Sequence, residues 1–166
     1  MQYNAARRGL EGEDIARKRF YHGNGVGAEG LALFAKHRGG YAEIVAPLPA
    51  DFRRLRDGEI FMFGERPWRV IVGLGHAPEH ACLYSPDLNV LIAGDQVLPK
   101  ITTNVSVWPI EPKANALQWF LDTIDKLYDL PEDTLVLPSH GLPFTGLHTR
   151  LDQLVAHHDE RLDALA

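Results

Sequence analysis

The stretch Gly75-His76-Ala77-Pro78-Glu79-His80 decides how the rest of this chain is interpreted. It follows a run of β-branched and aromatic residues, Trp68 to Leu74, which has the composition of a β-strand. The run stops at a glycine, and a glycine lets the backbone and a bound ion approach each other closely. The stretch therefore predicts a strand that ends in a loop able to present a metal-binding side chain.

Two later stretches repeat this arrangement. Ala93-Gly94-Asp95-Gln96 and Leu137-Pro138-Ser139-His140-Gly141 each end an apolar run at a Gly or Pro and supply a side chain that can bind metal. Neutral imidazoles with a carboxylate are a ligand set that Zn²⁺ prefers. A single histidine at a strand end is more often a hydrogen-bonded structural group, but the combination and its order favour a metal site. The candidate ligands are His80, Asp95 and His140, with His76 nearby.

The spacing of apolar residues predicts the elements around these loops. Four consecutive strands joined by short turns predict an antiparallel meander, followed by a helix, a further strand and a last helix. The predicted strands are Glu59 to Phe63, Trp68 to Leu74, His80 to Tyr84, Asn89 to Ala93 and Thr134 to Leu137. The predicted helices cover Leu117 to Tyr128, with Pro112 in the first turn, and Leu147 to Leu165.

The N-terminal part of the chain has a different character. Two short helices are predicted there, at Gly12 to Tyr21 and at Ala28 to His37, and both have thin apolar faces. We therefore divide the chain into an N-terminal helical and linker segment, residues 1–46, and a larger domain, residues 47–166.

The three ligand stretches, taken together, resemble a known family. Gly-His-x-Pro-x-His, then Gly-Asp after an apolar strand, then Pro-x-His-Gly is similar to the third to fifth metal-binding motifs of the metallo-β-lactamase superfamily, on its glyoxalase II-like branch. The resemblance covers residues 57–166. It implies an α/β (α+β) fold in which this chain is half of an αββα sandwich, with a largely antiparallel sheet covered by helices.

The resemblance also implies a role for each candidate ligand. In the complete fold His80 would bind a first zinc ion, Asp95 would bridge two zinc ions and His140 would bind the second. His76 would orient the loop rather than bind metal directly. The parent protein would hydrolyse an ester, a thioester or a related bond of a small-molecule substrate.

The first ligand cluster of that family, His-x-His-x-Asp-His, has no counterpart in the 166 residues, where His22 and His37 stand alone. Each metal would then have one histidine and the shared Asp95, whereas zinc sites use three or four protein ligands. We therefore expect this chain to bind zinc weakly or not at all and to be inactive by itself, as a natural half-domain or a fragment. Two alternatives stay open: a non-catalytic interaction module, and a mononuclear site of His76, His80, Asp95 and His140 in an unrelated fold.

Half of a sandwich leaves one face of its sheet uncovered, and such a face predicts association. A homo-oligomer or a separately supplied N-terminal half would cover it. The residues predicted on this face are Phe61, Phe63, Trp68, Val70, Val72, Leu83 and Leu91.

The net charge of the chain restricts the classes of partner that we expect. A net charge of −5 gives no electrostatic reason to bind nucleic acid or an anionic membrane. The single cysteine, Cys82, lies in an apolar run, which is typical of a buried thiol. No apolar run is long enough to span a membrane, and we expect a cytoplasmic protein.

Overall fold

The computed structural model of the chain describes residues 11–36, 46, 49 and 51–165. The chain forms two compact units, one of residues 1–53 and 107–114 and one of residues 54–106 and 115–166. The predicted boundary after residue 46 adjoins residues outside the described ranges, so it stays a prediction.

The first unit contains the two N-terminal helices that the sequence predicts. Helix α1 spans Glu11–Gly23 and helix α2 spans Ala28–Lys36, while His37 lies outside the described residues. Between the helices, Asn24 donates from its side-chain amide to the carbonyl of Phe20 at 2.8 Å. Gly25 then adopts a left-handed conformation, with φ of 87°, which commonly terminates a helix.

The second unit is built on a five-stranded sheet in the order β1-β2-β3-β4-β5. The first four strands pair antiparallel, which confirms the predicted meander, and β5 pairs parallel to β4. The start of β3 and the ends of β4 and β5 therefore lie at the same end of the sheet. The strands are β1 Ile60–Phe63, β2 Arg66–Gly73, β3 His80–Ser85, β4 Val90–Gly94 and β5 Leu135–Pro138.

Helix α3, Ala116–Leu127, forms the crossover that parallel strands β4 and β5 require. The predicted range, Leu117 to Tyr128, agrees with the structure within one residue at each end, but the placement of Pro112 in the first turn is wrong. Asn115 caps the helix by accepting a hydrogen bond from the Gln118 N–H at 3.3 Å. A side chain that accepts from the first turn stabilises a helix start, so the cap determines where α3 begins.

Helix α4, Leu147–Asp163, packs with α3 on one face of the sheet and closes the main core. Its buried leucines are Leu147, Leu151 and Leu154. The apolar spacing also predicts that Val155, Leu162 and Leu165 share this face. Val155 packs against the core, but Leu162 is 47% exposed and Leu165 lies outside the helix. The sheet and α3 contribute Ile71, Cys82, Tyr84, Leu91, Ala93, Val136, Phe120, Ile124 and Leu127 to this core.

The opposite face of the sheet is unevenly covered. Val70 is fully buried there, whereas Phe63 is 74% exposed, and Ile92 and Leu135 are each 38% exposed. The prediction that Leu91 lies on this face is wrong. Leu91 lies in the helix-covered core, since its partner across the strands is the core residue Tyr84.

The architecture confirms the predicted fold class, a mixed α/β structure with a mostly antiparallel sheet and helices. In the described part of the chain, no helix has both the length and the apolar character of a membrane span.

Candidate metal centre

Three loops converge at one end of the sheet because of the strand directions. The loop with His76 leads into β3, Asp95 follows β4, and His140 follows β5. The Ser139 N–H donates to the carbonyl of Gly94 at 3.0 Å and ties the last two loops together. The order of strands therefore brings the predicted ligands into one cluster.

The carboxylate of Asp95 is the centre of this cluster. Its Oδ1 accepts a hydrogen bond from the Ser139 hydroxyl at 2.5 Å and lies 3.4 Å from His140 Nε2. Its Oδ2 lies 3.7 Å from His76 Nε2. Each oxygen of Asp95 thus faces a different imidazole, as expected for a carboxylate shared between two positions.

His76 is held in a defined orientation by the backbone. Its Nδ1 lies 2.9 Å from the carbonyl oxygen of Asn104. A carbonyl only accepts hydrogen bonds, so Nδ1 carries the proton, and in the neutral ring the lone pair is on Nε2, facing Asp95. In metal-binding histidines, one ring nitrogen binds the metal and the other donates to a carbonyl or carboxylate. His76 Nδ1 makes a hydrogen bond of this second kind.

His80 is placed differently from the sequence-based expectation. Its Nε2 accepts a hydrogen bond from the Asp95 backbone N–H at 3.1 Å, and its Nδ1 lies 3.9 Å from Cys82 Sγ. Burial lowers the pKa of His80, and the nearby His76 lowers it further, while Asp95 acts in the opposite direction. The ring is therefore held neutral, the state that binds metal, but binding through Nε2 requires loss of its hydrogen bond to Asp95.

Gly94 makes the close contact between His80 and Asp95 possible. Its φ is 54°, in the left-handed region, and a Cβ added to it would lie 2.5 Å from His80 Cε1. Both the backbone conformation and the space exclude a side chain at this position. The glycine before Asp95 is therefore required by the geometry of the cluster.

The cluster matches zinc in the kind of donor it offers but not in number. Imidazole nitrogens and a carboxylate are suitable donors. Nevertheless, among residues 11–36, 46, 49 and 51–165, no group of three or more His, Cys, Asp or Glu side chains is arranged to hold a metal ion. The donor types therefore suit zinc, but the described residues do not form a complete metal site.

A cavity of about 390 Å³ lies in the second unit, and none of the predicted ligands is among the residues that line it. It contains two ion pairs, Arg54 with Glu79 at 2.6 Å and Lys126 with Asp57 at 3.1 Å, whose side chains are about half or more exposed. Exposed pairs of this kind contribute little free energy. The lining residues are Arg54, Leu55, Arg56, Asp57, Val72, Leu74, Glu79 and Lys126.

Comparison with known proteins identifies the family. The family model described as the metallo-beta-lactamase superfamily matches residues 12–140. The chain belongs to the metallo-beta-lactamase superfamily. The alternative of an unrelated fold with a mononuclear site is therefore wrong as regards the fold, and the membership supports a hydrolase-type fold.

Solved structures of the superfamily are similar over most of this chain. A beta-lactamase domain protein from Burkholderia ambifaria shares 50% identity, with a TM-score of 0.72, over 80% of this chain and 41% of that protein. A metallo-beta-lactamase family protein from Thermus thermophilus shares 35% identity, with a TM-score of 0.70, over 92% of this chain and 52% of that protein.

An uncharacterized protein of Aquifex aeolicus is 30% identical over 103 residues, which are 61% of this chain and 47% of that protein. The chain thus spans about half the length of the metallo-beta-lactamase superfamily proteins that it matches.

The cluster also contains residues that sequence reasoning missed. The Ser139 hydroxyl donates a hydrogen bond to the Asp95 carboxylate, and Thr103, which is 3% exposed, donates to the Asp95 carbonyl at 2.6 Å.

Arg150 lies on helix α4, outside this cluster. The sequence predicts that Arg150 is solvated or paired with acidic residues, but its guanidinium donates to the carbonyls of Leu98 and Ile101. Ser139 was detectable by its position beside His140, whereas no local signal marked Thr103 or Arg150.

Proposed function

We propose that this chain forms the C-terminal half of a zinc-dependent hydrolase domain of the glyoxalase II-like branch. The observation that carries this proposal is the Asp95 carboxylate, which has His76 Nε2 near one oxygen and His140 Nε2 near the other. Imidazole nitrogens and a carboxylate are donors that suit zinc. Family membership supports the same interpretation.

The proposed roles follow the motif positions. His80 and Asp95 would hold a first zinc ion, and Asp95 and His140 would hold a second, with His76 beside the first. Zinc, when bound, supplies Lewis-acid polarisation of the bond that is hydrolysed. Ser139 holds the carboxylate of Asp95 in place through its hydroxyl hydrogen bond. The substrate is a small molecule with an ester, thioester or related bond, because the net charge of −5 disfavours a polyanion.

The remaining ligands come from outside these 166 residues. Solved relatives are about twice as long as this chain, and a His-x-His-x-Asp-His motif is absent from its sequence. The exposed apolar side chains of Phe63, Ile92 and Leu135 provide a surface for an N-terminal half or for a second copy of the chain. A cytoplasmic location belongs to the proposal and is compatible with the unpaired Cys82.

Metal analysis together with a hydrolysis assay tests the proposal. The purified chain and its Asp95→Asn variant are incubated with Zn²⁺, and bound zinc and turnover of a thioester panel are measured. We expect weak zinc binding that Asp95→Asn abolishes, and no turnover by the chain alone. Stoichiometric tight zinc with turnover, or zinc binding that Asp95→Asn leaves unchanged, contradicts the proposal.

A non-catalytic interaction module is a second candidate. It is favoured by the incomplete ligand set in the described residues and by the exposed apolar side chains on one sheet face. Light scattering with an apolar fluorescent probe separates the two. An assembly whose formation is independent of zinc and of Asp95 supports the module, and a monomer that binds no probe contradicts it.

A further inference from the structure

We propose that Arg150 is a positioning residue for the metal cluster, acting through the loop of residues 97–103 that follows Asp95. Arg150 binds no metal in this scheme. It holds the loop against the residues beside Asp95 and His140, and so keeps these two ligands together. This inference rests on the proposed function, and it goes beyond that function by assigning a role to a helix residue outside the ligand motifs.

The guanidinium of Arg150 donates hydrogen bonds to two carbonyls of the loop. Its Nε donates to the carbonyl of Leu98 at 2.6 Å, and its Nη2 donates to the carbonyl of Ile101 at 2.9 Å. A third donor, Nη1, bonds the side chain of Gln153 at 3.1 Å on the same helix. Hydrogen bonds from a charged donor are stronger than neutral ones, and a planar guanidinium fixes two acceptors in a defined geometry.

The loop of residues 97–103 contacts Asp95 and also Gly141, the residue that follows His140. At one end, Thr103 donates to the carbonyl of Asp95 at 2.6 Å and lies 3.3 Å from that of Gln96. In the middle, Pro99 packs against Gly141, where an added Cβ would lie 2.7 Å from Pro99 Cγ. Gly141 directly follows His140. The loop therefore joins the Asp95 turn to the His140 turn.

Helix α4, which carries Arg150, is fixed in place by its buried side chains and by a contact at its start. The neighbouring leucines, Leu147, Leu151 and Leu154, are fully buried in the core. Glu132 stabilises the start of the same helix by accepting from the His148 N–H at 2.7 Å. Because these contacts fix the helix, the side chain of Arg150 can restrain the loop.

Hydrogen–deuterium exchange on the 166-residue chain tests the restraint without any metal. Arg150→Gln removes the guanidinium that donates to the two loop carbonyls. Arg161→Gln is the matched control, because Arg161 is exposed on the same helix. We expect Arg150→Gln to raise exchange at least about 10-fold both in residues 98–103 and in residues 139–141, with no change in the control. Exchange that rises in the first segment alone overturns the inference.

A second measurement separates positioning from simple destabilisation. Glu132→Gln weakens the start of the helix without contacting the loop, and the Zn²⁺-dependent NMR shifts of the His140 ring are compared among variants. We expect Arg150→Gln to weaken the Zn²⁺ response about 10-fold, Arg150→Lys to restore part of it, and Glu132→Gln to weaken it far less than Arg150→Gln does. An equal loss in Glu132→Gln overturns the inference.

The two measurements also distinguish this inference from the proposed function. If the wild-type chain shows no Zn²⁺ response at His140 but Arg150→Gln raises exchange in both segments, the weak zinc binding expected from the proposed function fails and the restraint by Arg150 stands. If wild type responds and Arg150→Gln responds equally, only the positioning role fails.

Discussion

The two faces of the sheet differ in how completely this chain covers them. On the helix-covered face, Phe120 and Leu91 are fully buried and belong to one continuous core. On the other face, Val70 is buried but Phe63, Ile92 and Leu135 are exposed. The contrast shows that the chain has a complete core on one face of the sheet and a partly exposed apolar surface on the other.

The largest effect is expected in the covered face. Phe120→Ala removes a fully buried ring between helix and sheet and should lower the free energy of unfolding by about 3–5 kcal/mol, measured by urea unfolding. Phe63→Ala is the matched control, because its ring is 74% exposed, and it should change stability by less than about 0.5 kcal/mol. Equal losses in both variants would mean that the two faces do not differ.

The reactivity of the Cys82 thiol measures how well the core on the covered face excludes solvent. Burial raises the pKa of its thiol to about 12, and only 1% of the residue is exposed. At pH 8 only roughly one such thiol in ten thousand is ionised. Alkylation of the native chain should therefore be at least about 100-fold slower than in urea. A native rate close to the unfolded rate would show that the core opens readily.

Gly94 links the sheet to the candidate site. Gly94→Ala forces a left-handed alanine against the His80 ring and should cost about 1–3 kcal/mol. Gly64→Ala is the control, since Gly64 has φ of 61° but open space around it and should cost about 1–2 kcal/mol. Thermal unfolding compares the variants, and only Gly94→Ala should also shift the His80 ring resonances.

The smallest effect on stability is expected on the uncovered face. Ile92→Lys combined with Leu135→Lys places charges where the side chains are 38% exposed. Self-association measured by light scattering should decrease, while unfolding changes by less than about 0.5 kcal/mol. Unchanged association would show that this face is not where copies meet.

Much of the fold could be predicted from local patterns. The four-strand meander follows from β-branched runs between turns, and the bounds of the strands differ from the structure by two residues or fewer. The placement of Pro112 in the first turn of α3 was wrong, because the side chain of Asn115 caps a helix that starts at Ala116. The face of Leu91 depends on strand register, which the sequence leaves open.

The candidate site was predictable at the level of residue type. The motifs identify His76, His80, Asp95 and His140, and the structure brings them to one sheet end. Which nitrogen faces which oxygen depends on contacts between distant parts of the chain, such as His76 with Asn104. The contacts of Arg150 were mispredicted for the same reason, because its acceptors are about 50 residues away.

The most direct test of the central claim is a zinc titration of the chain followed by NMR of its histidine rings, with Asp95→Asn in parallel. The account predicts that His140 and a histidine of the 76–80 loop shift together, with weak binding in fast exchange, and that Asp95→Asn removes both shifts. Tight stoichiometric binding that survives Asp95→Asn, or shifts confined to histidines outside the cluster, would contradict the account.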